Sequence, residues 1–395
     1  MKILLISQYS LPQPLANAEV IGGVAMQLGA MGSEVTLVSP VRDAPATPGV
    51  RPRRALGWFS TDRASRIRRI AEYLSFTLGA LWSGCTAPRP DVVVVPSPPP
   101  TLGLVGVAVA ARHRVPFVYN VQDLYPEIAD AVGGVPGPAV RVLRSVVRLV
   151  YRRSDAVLVI DDAFVPVIAA AAPGATIRAV RNGIDLGPFA DAARDETFLS
   201  ELAVPAGALV VTYAGNIGRS QDLDAAIAAT AAAGAHLVIH GAGAGRDALV
   251  ARLAESGQNH VHLSGFRPRA ELGRVFASAD LHVVPLKPGV SGSSVPSKLL
   301  SIFAAGRPVV LAAEAGSPAA RVVAEADGGW VVEPGDPAAL TAGLTAALAD
   351  AAGRAAHGAS AHRWAQANAG TDRMAAGWDA VLAEVVAANP RKDAT

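Results

Sequence analysis

Short, unbroken apolar runs alternate with Ala/Leu/Val-rich helical stretches along the whole chain. A run that is apolar throughout, rather than polar at every second residue, suits a strand covered on both faces. Such strands build parallel sheets packed between helices. In the first half the expected strands are residues 3–7, 34–39, 91–96, 117–121, 155–160 and 176–180. In the second half they are 208–213, 236–240, 260–264, 281–285, 308–312 and 329–332. At 395 residues the chain exceeds one ordinary core, so two series of strands imply two doubly wound α/β domains. No short repeat period suggests a solenoid. The boundary is expected near residues 181–189, where Asn182-Gly183 and Gly187-Pro188 are turn signals. Residues 190–205 read as a connecting helix, 373–388 as the last helix, and the Pro/Arg-rich stretch 43–54 as a loop. Ligands of such sheets sit beyond the strand carboxyl ends, so the site is expected in a cleft between the two domains.

Composition narrows the function. A 51% hydrophobic content excludes a disordered chain, and a net charge of +2 with 5% aromatics disfavours nucleic acid as a partner. The single Cys85 rules out an internal disulfide framework and a thiolate zinc site, and suits a reducing compartment. The apolar start, residues 3–7, lacks the long apolar core of a signal peptide, and the run 102–111 is too short to span a bilayer. A cytoplasmic protein is expected. The stretch 62–84 reads as an amphipathic helix carrying Arg63, Arg66, Arg68 and Arg69, followed by Tyr73, Phe76, Leu78, Leu81 and Trp82. It suits either a half-buried helix with a solvated Arg end or a peripheral seat on an anionic membrane at the inner face of the plasma membrane.

Only four of the 35 basic residues are Lys, and two of them, Lys287 and Lys298, bracket one loop. That loop leaves the strand 281–285 and opens a helix, with Pro296 suited to a first turn and Gly306 to a stop. A compact ammonium beside the free N–H groups of a helix start becomes favourable when an anion binds there. The same pattern also fits an ordinary exposed Lys. Gly215 and Gly218, after the strand 208–213, let backbone approach a ligand, and Arg219 is suited to clamp a diphosphate, although a plain turn is the competing reading. The run Gly241-Ala-Gly243-Ala-Gly245-Arg246 departs from the dinucleotide fingerprint, because Arg246 stands where its last glycine belongs. A tight turn lining the cleft is the better reading. Arg267 ends a strand at the same edge and is placed to flank a nucleobase. In the first half, Asp123 lies just past a strand carboxyl end, where a carboxylate can orient or deprotonate a hydroxyl, or merely cap a helix. Asp161-Asp162 reads as a helix cap rather than a metal pair.

Taken in order, Tyr213-Ala-Gly-Asn-Ile-Gly218, Gly241-Ala-Gly243, Gly265-Phe266, Val284-Pro-Leu286 and Pro296-Ser-Lys-Leu299, followed by Ala304-Ala-Gly-Arg-Pro-Val-Val310, resemble the C-terminal half of family 4 glycosyltransferases. The first half adds Gln122-Asp-Leu-Tyr-Pro-Glu127 and Val180-Arg-Asn-Gly-Ile-Asp185. Together they resemble the WbuB-type branch that builds O-antigen, colanic-acid and capsule sugars. The resemblance implies the GT-B fold, two doubly wound Rossmann-like domains facing each other across a cleft. It implies an acceptor domain over residues 1–187, a nucleotide-sugar domain over 188–368 and a C-terminal helix within 369–395 that crosses back to the first domain. The implied reaction is retaining transfer from a nucleotide diphosphate sugar, UDP-linked, to a polysaccharide or lipid-linked acceptor, with no metal and no cofactor. Gly215, Asn216, Arg219, Gly241, Gly243, Arg267, Ser297, Lys298 and Ser301 are then expected near the donor. Asp123 is expected at the reacting sugar, and Gln122 and Glu127 on the acceptor side. The chain departs from the wider family where two Glu residues are usual, at Ser293 and Ser301, and where a basic pair is usual, at Asn216 and Gln221. Two other readings share this architecture: a nucleotide-sugar 2-epimerase, and a catalytically weakened paralogue that serves as a scaffold.

Overall fold

The computed structural model describes residues 1–13, 16–40, 47–55, 66–127, 137–218, 220–265, 267–291 and 297–389. The chain divides into two compact units, Met1–Ile184 with Thr371–Thr395, and Asp185–Gly370.

The first unit is built on a parallel sheet of seven strands, β1 (Lys2–Ile6), β2 (Glu34–Ser39), β3 (Val50–Arg54), β4 (Val92–Pro96), β5 (Phe117–Val121), β6 (Ala156–Val159) and β7 (Ile177–Ala179). Their order is β3-β2-β1-β4-β5-β6-β7, so the winding reverses between β1 and β4. All but β3 coincide with the apolar runs of the sequence. The stretch 43–54, expected to be a loop, instead contributes β3, which pairs in parallel with β2. This edge strand is covered poorly, so Arg51, Pro52 and Arg54 are tolerated and no apolar run marks it. The last helix, Thr371–Ala387, belongs to this unit: Met374, Trp378 and Leu382 bury into the core of Ile3, Leu5, Val20 and Val24. At Gly23 a Cβ would lie 3.0 Å from Thr371 Cγ2, so a glycine is what lets the helix Ala16–Ala30 take the start of the last helix this closely.

The second unit is a parallel sheet of six strands, β8 (Val210–Ala214), β9 (His236–His240), β10 (Val261–Ser264), β11 (Leu281–Pro285), β12 (Val309–Ala312) and β13 (Gly329–Val332), in the order β10-β9-β8-β11-β12-β13. Its winding reverses between β8 and β11. A ligand crevice is expected at that reversal, beyond the carboxyl ends of the two strands. Residues 190–205, read as one connecting helix, form a shorter one, Glu196–Glu201, capped by the Asp195 carboxylate accepting from Phe198 N–H at 2.9 Å.

Candidate functional site

The loops after β8 and β9 interlock through backbone. Gly215 N–H donates to His240 C=O, Ile217 N–H to Ala242 C=O and Gly245 N–H to Ile217 C=O, at 2.9, 2.9 and 3.0 Å. A Cβ on Gly241, whose φ is +155°, would lie 1.9 Å from Gly215 O, and one on Gly243, φ +152°, would lie 2.4 Å from Ile217 O. These glycines are therefore demanded by the mutual approach of two loops. Gly241→Ala is expected to cost this unit roughly 3 kcal/mol or more. A thermal melt should show the transition several degrees lower, whereas an unchanged midpoint would refute the close approach.

Lys298 reaches into the switch point. It opens the helix Lys298–Ala304 after β11, and its Nζ donates to Tyr213 Oη at the end of β8 (3.2 Å) and to Gln221 Oε1 (3.3 Å). The ammonium also lies 4.3 Å from the centre of the Tyr213 ring. A Cβ at Gly215 would stand 2.9 Å from Lys298 Cε and Nζ, so this glycine makes the room the lysine occupies. The side chain as a whole is half-buried, but its charged end lies inward among neutral groups. That burial pushes the Lys298 pKa down to about 7. An ammonium has three N–H donors. Two are engaged by neutral acceptors, and among the described residues no carboxylate pairs with it. Tyr213 is held as a neutral hydroxyl by burial, which raises its pKa, and it donates to Asn216 C=O at 2.6 Å.

Ser301 lies one turn after Lys298, and both are partly exposed on a helix whose Leu299, Leu300, Ile302 and Phe303 are buried. Ser297 precedes the helix without a side-chain cap bond, and Asn216 is exposed at the tip of the β8 loop. Arg219, Ser293 and Pro296 lie outside the described residues. Arg267 is committed elsewhere: it pairs with Glu201 at 2.9 Å and Glu271 at 3.6 Å and stacks over Phe198. Burial, and then the Arg267 charge, lowers the pKa of His240, whose Nδ1 is 3.1 Å from Ser264 Oγ.

One residue of this edge escaped the sequence reading. Glu314, just past β12, accepts from Gly289 N–H at 2.6 Å and from the Ser291 hydroxyl, and so fastens the turn that leads toward Lys298. An isolated carboxylate at a strand carboxyl end was the available signal.

In the first unit, Asp123 is half-buried beyond β5. Gln122 is buried and runs an amide chain: its Nε2 donates to Asn120 Oδ1 at 2.6 Å, and Asn182 Nδ2 donates to Gln122 Oε1 at 2.6 Å. Ser97 Oγ, beyond β4, accepts from Gln122 N–H at 3.0 Å. Burial, then the nearby Asp123 charge, raises the Tyr125 pKa; burial and then Glu127 raise that of Tyr151. The Asp161 carboxylate accepts from Ala163 N–H at 2.8 Å, as a turn cap does. Among the described residues no group of three or more His, Cys, Asp or Glu is placed to hold a metal.

Two family descriptions match this layout, the glycosyl transferase 4-like domain over residues 18–183 and glycosyl transferases group 1 over residues 208–350. A probable glycosyltransferase, WbjE of Pseudomonas aeruginosa, is 24% identical over 335 residues, 82% of each chain. The putative colanic acid biosynthesis glycosyl transferase WcaI of Escherichia coli K12 is 31% identical over 153 residues, 38% of each chain. HepE of Anabaena, solved in complex with UDP-glucose, superposes with a TM-score of 0.74 at 14% identity, covering 97% of this chain and 100% of that one. The chain belongs to the family 4 glycosyltransferases and has their GT-B fold.

Proposed function

We propose that the chain is a retaining glycosyltransferase that moves a sugar from a UDP-sugar to a saccharide or lipid-linked acceptor of a cell-surface polysaccharide. The observation that carries this reading is the Lys298 ammonium, held at the switch point of the second sheet by two neutral acceptors. A charge that costs burial and has no carboxylate partner among the described residues is suited to an anion, and a leaving diphosphate is the anion that glycosyl transfer from a nucleotide sugar generates. The unit 185–370 is then the donor-binding unit, with Gly215, Asn216, Gly241, Gly243, Ser297 and Ser301 around the nucleotide and Arg219 as a further donor-side cation, while Arg267 stays engaged by Glu201 and Glu271. The solved UDP-glucose complex of HepE and the colanic acid biosynthesis attributed to WcaI support this choice of donor and pathway. The first unit receives the acceptor through Gln122 and Glu127, and Asp123 serves as the carboxylate at the reacting sugar. Incubation with a panel of nucleotide sugars should release UDP from one or more UDP-sugars. A panel in which only GDP- or ADP-sugars are consumed would refute the donor class. Asp123→Asn should lower turnover and leave UDP affinity unchanged.

Peripheral membrane contact belongs to the same reading. The helix Arg66–Cys85 exposes Leu74, Leu78 and Trp82 at 61, 69 and 67%, four residues apart and hence on one face. The helix Leu102–His113 packs against both this helix and Gly137–Arg153, which exposes Arg141, Arg148, Arg152 and Val142. Exposed apolar and basic residues on helices that share a packing neighbour suit an anionic bilayer. Among the described residues no helix is long and apolar enough to cross a membrane. Leu78→Ser with Trp82→Ser should sharply reduce co-sedimentation with phosphatidylglycerol-rich vesicles; equal sedimentation rejects the contact.

A further inference from the structure

The winding of the first sheet reverses between β1 and β4, which makes the carboxyl ends of these two strands a second crevice of the kind that holds ligands. Leu5 lies opposite Val94, so three residues further along both strands Gln8 and Ser97 leave the sheet at one level. Just beyond β1 lies a cluster of buried polar groups that the described residues do not satisfy. Gln8 and Ser10 are 1% and 0% exposed, and among the described residues Gln8 Oε1 and Ser10 Oγ have no hydrogen-bond partner. Gln13 Oε1 accepts from Ser10 N–H at 2.9 Å, which fixes its amide orientation and leaves the buried Nε2 unpartnered. Buried polar atoms of folded proteins are rarely left so, and three within six residues call for an outside partner.

The three groups differ in what they need. Gln8 Oε1 accepts, Gln13 Nε2 donates and the Ser10 hydroxyl does both. Vicinal sugar hydroxyls, each both donor and acceptor, fit this mixture. An anion fits it poorly, because it offers acceptors only. The surrounding charge agrees. Between Lys2 and Glu19 the sequence holds no charged residue, and Ser97–Thr101 beyond β4 holds none. Toward β5 the next charge along the sheet edge is the Asp123 carboxylate; on the β2 side Arg42 and Asp43 lie outside the described residues, and Glu19 stands in the first turn of the helix Ala16–Ala30.

We infer that Gln8, Ser10 and Gln13 form a subsite for an uncharged sugar ring of the acceptor, read through its hydroxyls, with any phosphate of the acceptor held away from this crevice. The inference rests on the proposed role of the first unit as the acceptor unit. Because these groups are buried, the turn closed by Gln13 N–H donating to Ser10 C=O has to open for the sugar to enter.

The test uses the full chain saturated with UDP and, as probes, the methyl glycosides of glucose, galactose and N-acetylglucosamine together with glucose 6-phosphate. Binding is read by saturation-transfer NMR for the wild type, Gln8→Met and Ser10→Ala. At least one uncharged glycoside should bind, about tenfold more weakly in either variant, as expected for the loss of a neutral hydrogen bond. Glucose 6-phosphate should bind no better than the uncharged glycosides, and UDP affinity by calorimetry should be the same in all three proteins. Ser10→Ala removes a single oxygen and keeps the test usable if Gln8→Met unfolds. Glycoside binding that is absent from the wild type, unaltered in the variants as if water alone filled the cluster, or surpassed by the phosphate overturns the inference. Failure of the wild type to bind UDP overturns the donor reading instead, so the two failures are separable.

Discussion

Lys298→Ala is expected to lower turnover by about two to three orders of magnitude, the effect of removing one preorganised donor from a developing negative charge. The size follows from the surroundings of the ammonium. It is pinned by Tyr213 and Gln221 and set against the Tyr213 ring, so it spends little reorganisation when charge gathers on the leaving diphosphate. The variant should fold, because replacing a charge that burial disfavours relieves a cost while opening a small void. Lys298→Arg should rescue poorly. Its planar fork needs more width than the space left by Gly215, where even one added carbon would come within 2.9 Å of the lysine. Steady-state rates with the best donor check both variants. Turnover within threefold of wild type for the alanine protein would move the diphosphate site elsewhere.

UDP binding should draw a proton onto the enzyme and weaken by up to about tenfold for each pH unit above neutrality, the free-energy equivalent of one unit of pKa shift. The sign follows from Lys298. With its pKa at about 7, the free lysine loses its charge as pH rises through neutrality. A diphosphate binds the ammonium form and raises the pKa, so the complex holds a proton that the free enzyme lacks. The nucleotide's own terminal phosphate, with a pKa near 6, is fully ionised above about pH 7.5, and its titration does not contribute there. Folding follows the same logic. Between pH 7 and the ordinary lysine range of about 10.5 the unfolded chain holds a proton that the folded chain does not, so the unliganded protein gains stability from this group as pH rises. Bound UDP removes that gain. Calorimetric titrations in two buffers of different ionisation enthalpy report the proton directly. Proton release, or affinity flat from pH 7.5 to 9, would contradict the burial of this ammonium.

Much of the fold is legible because parallel strands buried on both faces leave unbroken apolar runs, and every run expected to be a strand became one, while the longer run 102–111 became a helix. The exception is β3. An edge strand with Arg51, Pro52 and Arg53 has no reason to be apolar, so its pairing with β2 leaves no local mark. Lys298 stood out because lysine is scarce and the loop joins a strand end to a helix start. Its partners were less visible. Tyr213 read as the last residue of a strand, and Gln221 as a missing basic residue, although its amide oxygen holds the lysine in place. Arg267 shows the opposite effect. Its position after a strand suggests a ligand, while the carboxylate that engages it, Glu201, is 66 residues earlier in the chain. The orphan atoms of Gln8, Ser10 and Gln13 could not be read from sequence at all, since a hydrogen-bond deficit exists only once burial is known.

The central claim is that the second unit grips a diphosphate between the Lys298 ammonium and the backbone around it. A crystal structure of the protein with UDP tests it most directly. The claim predicts a phosphate oxygen within about 3 Å of Lys298 Nζ, at the carboxyl ends of β8 and β11. A fully occupied UDP whose diphosphate lies away from that ammonium would contradict it.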